Sequence, residues 1–317
     1  MKNCIAALFM FAALSVTASP LPFSETFDTL NQGAVDSQNG WVALSGTAVV
    51  QTNVAAAGPQ ALEMRNAQVV HSLSNTTPSV WVGFQARITA KPDVNPVLTG
   101  SNASVVFFVN TNLNLVVYSN QTPVTLSQTI QTNAWTRFDI YCDYENLKWM
   151  LSVNGNCVAA NLSLTSTNRQ MESVLLSNNS TNAVYVDELA VQETETAAAA
   201  VIDTDGDSIP DWWEQRYFGG ITNVFAGGMA SNGMTFLQSY IAGLNPENPN
   251  DTLRLTKGTG RKLGWDRKPD RQYEIYWSSN LTSGFTYIQT VEGDEFEDTD
   301  TVRIAEPAGF YQIRVRK

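Results

Sequence analysis

The 317-residue chain has one histidine, His71, and three cysteines. A single imidazole excludes histidine-rich metal sites and makes any Ser-His-Asp chemistry depend on that one residue. The sequence contains no Walker loop and no GxGxxG fingerprint. Basic residues are also few, with 19 Lys and Arg against 30 Asp and Glu and a net charge of −11. A nucleic-acid binder needs a basic face, so no nucleic-acid partner is expected. Long apolar runs are missing after residue 18, so no transmembrane segment is expected in the rest of the chain. What is present is 43% hydrophobic and 15% charged residues, enough apolar surface to build cores.

The N-terminus reads as an address. Lys2 supplies a positive start, Cys4 to Val16 is nearly all apolar, and Val16-Thr17-Ala18 fits a small-residue cleavage site. Residues 1–18 are therefore expected to be a signal peptide and the protein to be secreted or at the cell surface. Cys142 and Cys157 remain after cleavage. An even count in an oxidising compartment allows one disulfide, and two separate thiols are the alternative.

Residues 19–191 read as strands. WVGFQARIT, SVVFFVN, LNLVVYS, TRFDIYCDY, KWMLSVNG and AVYVDELAV are short, apolar or alternating, and separated by Asn, Gly, Thr and Pro clusters. No sustained helical period occurs there. The fold class expected is mostly β, with a jelly-roll β-sandwich as the large domain. Residues 192–202, QETETAAAAVI, read as a linker. Residues 203–251 hold seven acids against one base, with DWWEQRYF and MTFLQSYIAGL as two short helices. Residues 252–317 carry 11 bases and 10 acids and read as a small all-β domain, including QYEIYWSS, TYIQTVE, TVRIA and GFYQIRVRK. Six acids between Glu292 and Asp300 read as a solvated hairpin, or else a second cation site.

The strongest motif is Asp203-Thr-Asp205-Gly-Asp207-Ser-Ile209-Pro-Asp211-Trp-Trp-Glu214. It places acids at loop positions 1, 3, 5, 9 and 12, with the Ile209 carbonyl available at position 7. Calcium takes six to eight hard oxygens, and alternate residues of a tight loop supply them. Calcium is the cofactor expected here. Ser208 stands where an EF-hand loop has Gly, at a backbone position that favours glycine. The segment resembles dockerin and thrombospondin type 3 calcium repeats, and a calcium module of secreted bacterial proteins. In that module a second acidic repeat precedes a tail like Leu237-Gln238-Ser239-Tyr240-Ile241-Ala242-Gly243-Leu244-Asn245-Pro246. Here Gly228, Ala230, Asn232 and Gly233 replace those acids, so the resemblance implies one complete site and one degenerate half.

Three pieces of the large domain carry a further resemblance: Phe23-Ser-Glu25-Thr-Phe27-Asp28 with Asn39-Gly40-Trp41, Trp135-Thr-Arg137-Phe138 followed by Trp149-Met-Leu151-Ser-Val153-Asn154-Gly155, and Tyr185-Val186-Asp187-Glu188-Leu189-Ala190-Val191. Together they resemble concanavalin A-like, laminin-G-like jelly rolls. The resemblance implies a lectin-like domain, with binding of a glycan or surface polymer as its role. Glycoside hydrolases and lyases share the fold, and adhesion proteins binding protein partners are a third class. The E-x-D-x-x-E cluster of laminarinase-type enzymes does not occur in residues 19–191. Asp143 with Glu145, and Asp187 with Glu188, are the nearest acidic pairs, and neither has that spacing. By position, Asp28 (or Glu25) and Asp187 match a structural calcium site of some relatives, with ordinary surface acids as the alternative. Trp41, Trp81, Trp135 and Trp149 read as core, and His71 as a polar-face residue of an alternating strand. The C-terminal segment, from Leu263-Gly-Trp265 to Phe310-Tyr311-Gln-Ile313, resembles small fibronectin type III-like domains, which implies a spacer or docking module.

Overall fold

The computed structural model describes residues 5–8, 18–92, 95–96, 103–194, 202–221, 224–259, 261–268, 271–282, 284–306 and 308–317. Its contacts divide the chain into two compact units, Met1–Ile202 and Asp203–Lys317. Most of the expected leader (residues 1–4 and 9–17) and most of the expected linker (residues 195–201) lie outside the described residues.

The first unit is a jelly-roll β-sandwich. Its strands are Ile5–Leu8 (β1), Ser19–Pro20 (β2), Phe23–Glu25 (β3), Gly33–Ala34 (β4), Trp41–Gln51 (β5), Ala61–Ser74 (β6), Ser79–Ile88 (β7) and Val106–Val109 (β8). Asn114–Ser119 (β9), Thr122–Thr129 (β10), Trp135–Asp143 (β11), Lys148–Val153 (β12), Asn156–Ser163 (β13), Ser173–Asn178 (β14) and Val184–Gln192 (β15) follow. The strands run in the order β10-β9-β8-β1-β14-β6-β15-β7-β11-β12-β13, with β5 along β6. The long β6 belongs to both layers: Leu62 and Met64 pair with β15, while Ala67 to Ser72 pair with β14.

Period-two alternation sets the faces. In β7, Val80, Val82, Phe84, Ala86 and Ile88 enter the core, as do Phe138, Ile140 and Cys142 of β11 and Trp149, Leu151 and Val153 of β12. Phe107 of β8 meets them from the opposite layer, 5.7 Å from Phe138 and 6.4 Å from Trp149 between ring centroids. Asn154-Gly155, both at positive φ, form the two-residue turn between β12 and β13 that an Asn-Gly pair favours. Trp41 and Trp149 are core residues, as their sequence pattern implies. Trp81 is buried as well, on the other face of β7, against Tyr141.

One open alternative is decided here and one expectation is corrected. Cys142 and Cys157 form no disulfide with each other. Cys142 lies in the core, whereas Cys157 pairs with Ser152 on the opposite face of β12, so the sheet separates them. His71 is not on a polar face. It is 1% exposed, wedged between Phe23 (4.1 Å) and Trp41 (5.2 Å), and its Nε2–H donates to the Asn39 carbonyl at 2.8 Å. Burial holds its pKa below 6.5, outweighing the Asn39 bond and the Glu25 charge. The neutral ring therefore belongs to the folded state. This contribution is intact above pH 6.5 and is lost as pH falls toward the depressed folded value, because only the unfolded chain readily takes the proton. As the chain has a single histidine, one imidazole proton resonance reports it. NMR titration is expected to give a midpoint below 6.5, and a midpoint at or above 6.5 would contradict the burial argument.

The second unit begins with two helices, Asp211–Phe218 (α1) and Phe236–Ala242 (α2). Two three-stranded sheets follow. One contains Leu255–Thr259 (β16), Lys262–Trp265 (β17) and Glu295–Glu297 (β20), and the other Thr286–Val291 (β19), Gln272–Ser278 (β18) and Phe310–Arg316 (β21). Leu263, Trp265, Tyr273, Ile275 and Phe296 form the core between them. The helices pack with this β domain. Arg271 donates to the Tyr240 carbonyl at 2.7 Å, Lys268 pairs with Asp251 at 2.7 Å, and the Lys317 ammonium lies 4.0 Å from the Tyr240 ring centroid.

TVRIA, read above as a strand, is a helix, Thr301–Ala305 (α3). Asp300 caps it by accepting from the Val302 and Arg303 N–H groups, which outweighs the β-branched pattern. The acid-rich segment before it is structural. Buried Asp298 takes two bonds from Arg303, both 2.8 Å, and one from Tyr311 at 2.7 Å, and Glu295 pairs with Lys262. Among the described residues no helix is long and apolar enough to cross a membrane.

Candidate metal centre

The loop before α1 is shaped by its own carboxylates. Asp203 Oδ1 accepts from Gly206 N and Oδ2 from Ser208 N, each at 2.9 Å, and Asp207 Oδ1 accepts from Ile209 N at 2.8 Å. These bonds turn the chain tightly enough to need positive φ at Gly206 (74°) and Ser208 (76°). The serine meets the left-handed requirement foreseen for that position, at a cost on the order of 1 kcal/mol. Carboxylate oxygens of Asp203, Asp205 and Asp207 consequently lie within 4.8 Å of one another. Among the described residues this is the one group of three such side chains gathered so closely.

Glu214, in the first turn of α1, is not one of that close group, but the charges of all three of its members act on it. The Glu214 side chain is fully buried, and neither Oε1 nor Oε2 has a hydrogen-bond partner. Asp207 Oδ2 is in the same condition. Burial, followed by the charges of Asp205, Asp207, Asp211 and Asp203, pushes the Glu214 pKa up to about 8. Buried carboxylate oxygens without partners are costly. A divalent cation among them would remove both the desolvation penalty and the mutual repulsion. The donors are all oxygen, which fits calcium and not a soft metal. Asp211 is placed differently from the rest. Its carboxylate accepts from Thr204 N at 2.7 Å and Thr204 Oγ1 at 2.5 Å, tying loop position 9 to position 2. Ile209, at loop position 7, is buried.

The degenerate half supplies an internal comparison, 25 residues further on. Asn232 occupies the place of Asp207 and accepts from Met234 N at 3.1 Å, as Asp207 does from Ile209 N. Gly233 has φ 80°, matching Ser208. Ser239 occupies the place of Glu214 and is equally buried. Here, however, Asn232 Nδ2 donates to Ser239 Oγ at 3.1 Å. The second loop closes with a neutral hydrogen bond where the first has unpartnered carboxylates. Gly228 and Ala230 replace Asp203 and Asp205, so nothing there repels. The two halves pack through Phe218 on Phe236 (4.9 Å) and Trp213 on Tyr240 (6.1 Å).

The other acids singled out in the sequence hold the sandwich together. Asp187 is fully buried and accepts from Ala56 N, Ala57 N and Glu188 N at 2.8, 3.2 and 2.8 Å. Burial raises its pKa against those three bonds, and the Asp28 charge adds to the rise. Asp28 accepts from Gln60 N at 3.0 Å. The two acids thus latch one loop to the sheet, and Gly58 is required there because a Cβ would lie 2.1 Å from Asp28 Oδ2. Glu25 accepts from Phe27 N and Asn39 Nδ2, both at 2.8 Å, and from Trp41 Nε1 at 3.4 Å. Asp143 accepts twice from Asn146 across the β11–β12 turn.

No family model and no curated protein matches this chain. Solved structures do resemble it at low identity. A sialidase is 8% identical with a TM-score of 0.45, over 58% of this chain and 19% of the sialidase. The alginate lyase Aly36B is 13% identical with a TM-score of 0.38, over 56% of this chain and all of the lyase. The globular domain of T. cruzi calreticulin is 9% identical with a TM-score of 0.36, over 55% of this chain and 88% of that domain. This chain therefore spans about a fifth of the sialidase's length.

Proposed function

We propose that this protein is a secreted, non-catalytic binding protein. Its jelly roll recognises a glycan or surface polymer, and calcium stabilises the helical connector that follows. Asp203, Asp205, Asp207, the Ile209 carbonyl and Glu214 would hold the ion, with Asp211 bracing the loop through Thr204. The observation that carries the calcium reading is Glu214, buried with both oxygens unpartnered against three converging carboxylates. The neutral Asn232–Ser239 closure of the second half supports a single ion per chain.

The non-catalytic reading is supported by the condition of the sandwich's buried acids. Glu25, Asp139, Asp143 and Asp187 each accept hydrogen bonds from neighbouring backbone or side chains. A glycosidase of this fold needs a pair of carboxyl groups free to face substrate. One observation favours the adhesion reading as a second choice. Among the described residues of the sandwich, the exposed large apolar side chains are Leu44 and Val124, and neither is aromatic.

The test is a glycan-array screen of the full chain, in calcium and in chelator. Binding to one polysaccharide class is expected, weaker in chelator if the connector contributes. No binding in either condition would overturn the glycan reading in favour of a protein partner.

A further inference from the structure

We infer that the outer face of the β19–β18–β21 sheet is a glycan-binding platform, with Tyr287 as its exposed stacking surface and Tyr276 as the ring that supports it. This goes beyond the reading above, which places recognition on the sandwich and implies only a spacer role for the C-terminal β domain.

The sequence QYEIYWS alternates. Tyr273 and Ile275 enter the core, which turns Glu274 and Tyr276 to the opposite face. Pairing register then builds rows across three strands. Tyr276 lies between Tyr287 of β19 and Gln312 of β21, and Glu274 lies between Thr290 and Arg314. The two tyrosine rings meet edge to face, 5.6 Å apart at 72°. Tyr287 is 49% exposed, unlike the buried aromatics of the sandwich core.

A polar frame fixes these rings in place. Tyr276 donates its hydroxyl to Glu274 Oε2 at 2.9 Å, and Arg316 holds Oε1 of the same carboxylate at 2.7 Å. The Arg314 guanidinium lies 4.3 Å from the Tyr276 ring centroid and donates to Gln312 Oε1 at 3.1 and 3.3 Å. The Tyr287 hydroxyl is 2.9 Å from Thr290 Oγ1.

This combination suits a sugar chain. A pyranose presents a C–H face that packs on an aromatic ring and a rim of hydroxyls that both donate and accept. Tyrosine offers the matching apolar face with a polar tip. Gln312, Thr290 and the two arginines supply acceptors and donors at the ring edges, while Glu274, buried and bonded through both oxygens, holds Tyr276 and Arg316 in place. A stable protein interface instead requires a desolvated apolar centre. Two rings surrounded by charged and amide groups do not provide one.

Native affinity electrophoresis of the full chain tests this, in gels containing laminarin, xylan, hydroxyethylcellulose or alginate. The platform predicts retardation by at least one polysaccharide. Tyr287→Ala should weaken it about tenfold, the scale of one aromatic stacking contact, and Tyr287→Phe should retain it. Because Tyr287 is exposed, the alanine variant should keep the wild-type melting temperature. Retardation by alginate alone would assign the arginines a charge-pairing role within the same platform. Retardation that survives both Tyr287→Ala and Tyr276→Ala would overturn this inference while leaving glycan binding by the sandwich intact. An absence of retardation in all four gels would overturn it as well.

Discussion

Calcium is expected to raise the melting temperature of the unit spanning residues 203–317, and Glu214→Gln to remove the rise. A ligand present at a hundredfold excess over its dissociation constant stabilises the folded state by about 2.7 kcal/mol. For a unit of this size that corresponds to a shift of roughly 10 °C. The variant separates an ion site from a merely crowded loop. Glu214 sits buried among Asp203, Asp205, Asp207 and Asp211, with no partner for either oxygen. Without the ion, replacing the carboxyl by an amide removes a source of repulsion, so the variant in chelator melts at or above the wild type in chelator. In calcium the order reverses, because the variant has lost a ligand. Asn232→Ala serves as the control. It breaks the neutral closure of the second loop and lowers stability by about 1–3 kcal/mol in both conditions. Trp212, Trp213, Trp265 and Trp277, four of the eight tryptophans, lie in this unit, so its melting is one component of the tryptophan fluorescence change. An identical wild-type melting temperature in calcium and in chelator would falsify the ion site.

The loop was legible in the sequence because its chemistry is local. Five acids in twelve positions, a helix start and a missing glycine can all be read without knowing the fold. The core faces of β7, β11 and β12 were legible for a similar reason, since alternation alone assigns them. Features that depend on register were not. His71 alternates like a surface residue, and only the arrival of Phe23 and Trp41 from other strands buries it. The cysteines appear close on a hairpin, but an odd number of strand positions places them on opposite faces. The Tyr276–Tyr287 pair joins residues from two strands whose offset includes a bulge, which sequence spacing does not reveal. TVRIA had a readable signal, the Asp300 cap, that its β-branched residues obscured.

Arg137→Ala is expected to destabilise the sandwich by about 3–5 kcal/mol, the scale for removing one partner of a buried ion pair. Arg137 projects from β11 onto the face opposite the core. Its guanidinium donates to Asp139 at 2.9 and 3.1 Å and to the Glu188 carbonyl of β15 at 3.4 Å. The side chain crosses β7 at Gly83, where a Cβ would lie 1.9 Å from its terminal nitrogen. One arginine therefore joins three adjacent strands, and the glycine beneath it makes room. Asp139 is only 1% exposed, so truncating Arg137 leaves a buried carboxylate without its cation. Arg137→Lys should rescue little, because an ammonium cannot reproduce the planar fork that spans both partners. Gly83→Ala should act in the same direction by displacing the guanidinium. The double variant Arg137→Ala/Asp139→Ala should cost less than the sum of its single changes, since it removes the orphaned charge along with its partner. Urea unfolding midpoints provide the measurement. Against a typical total stability of about 5–15 kcal/mol, the single change is large enough to move the midpoint clearly. A shift within about 0.5 kcal/mol, the range of an ordinary surface substitution, would mean that the bridge contributes little and that strand pairing alone holds this face.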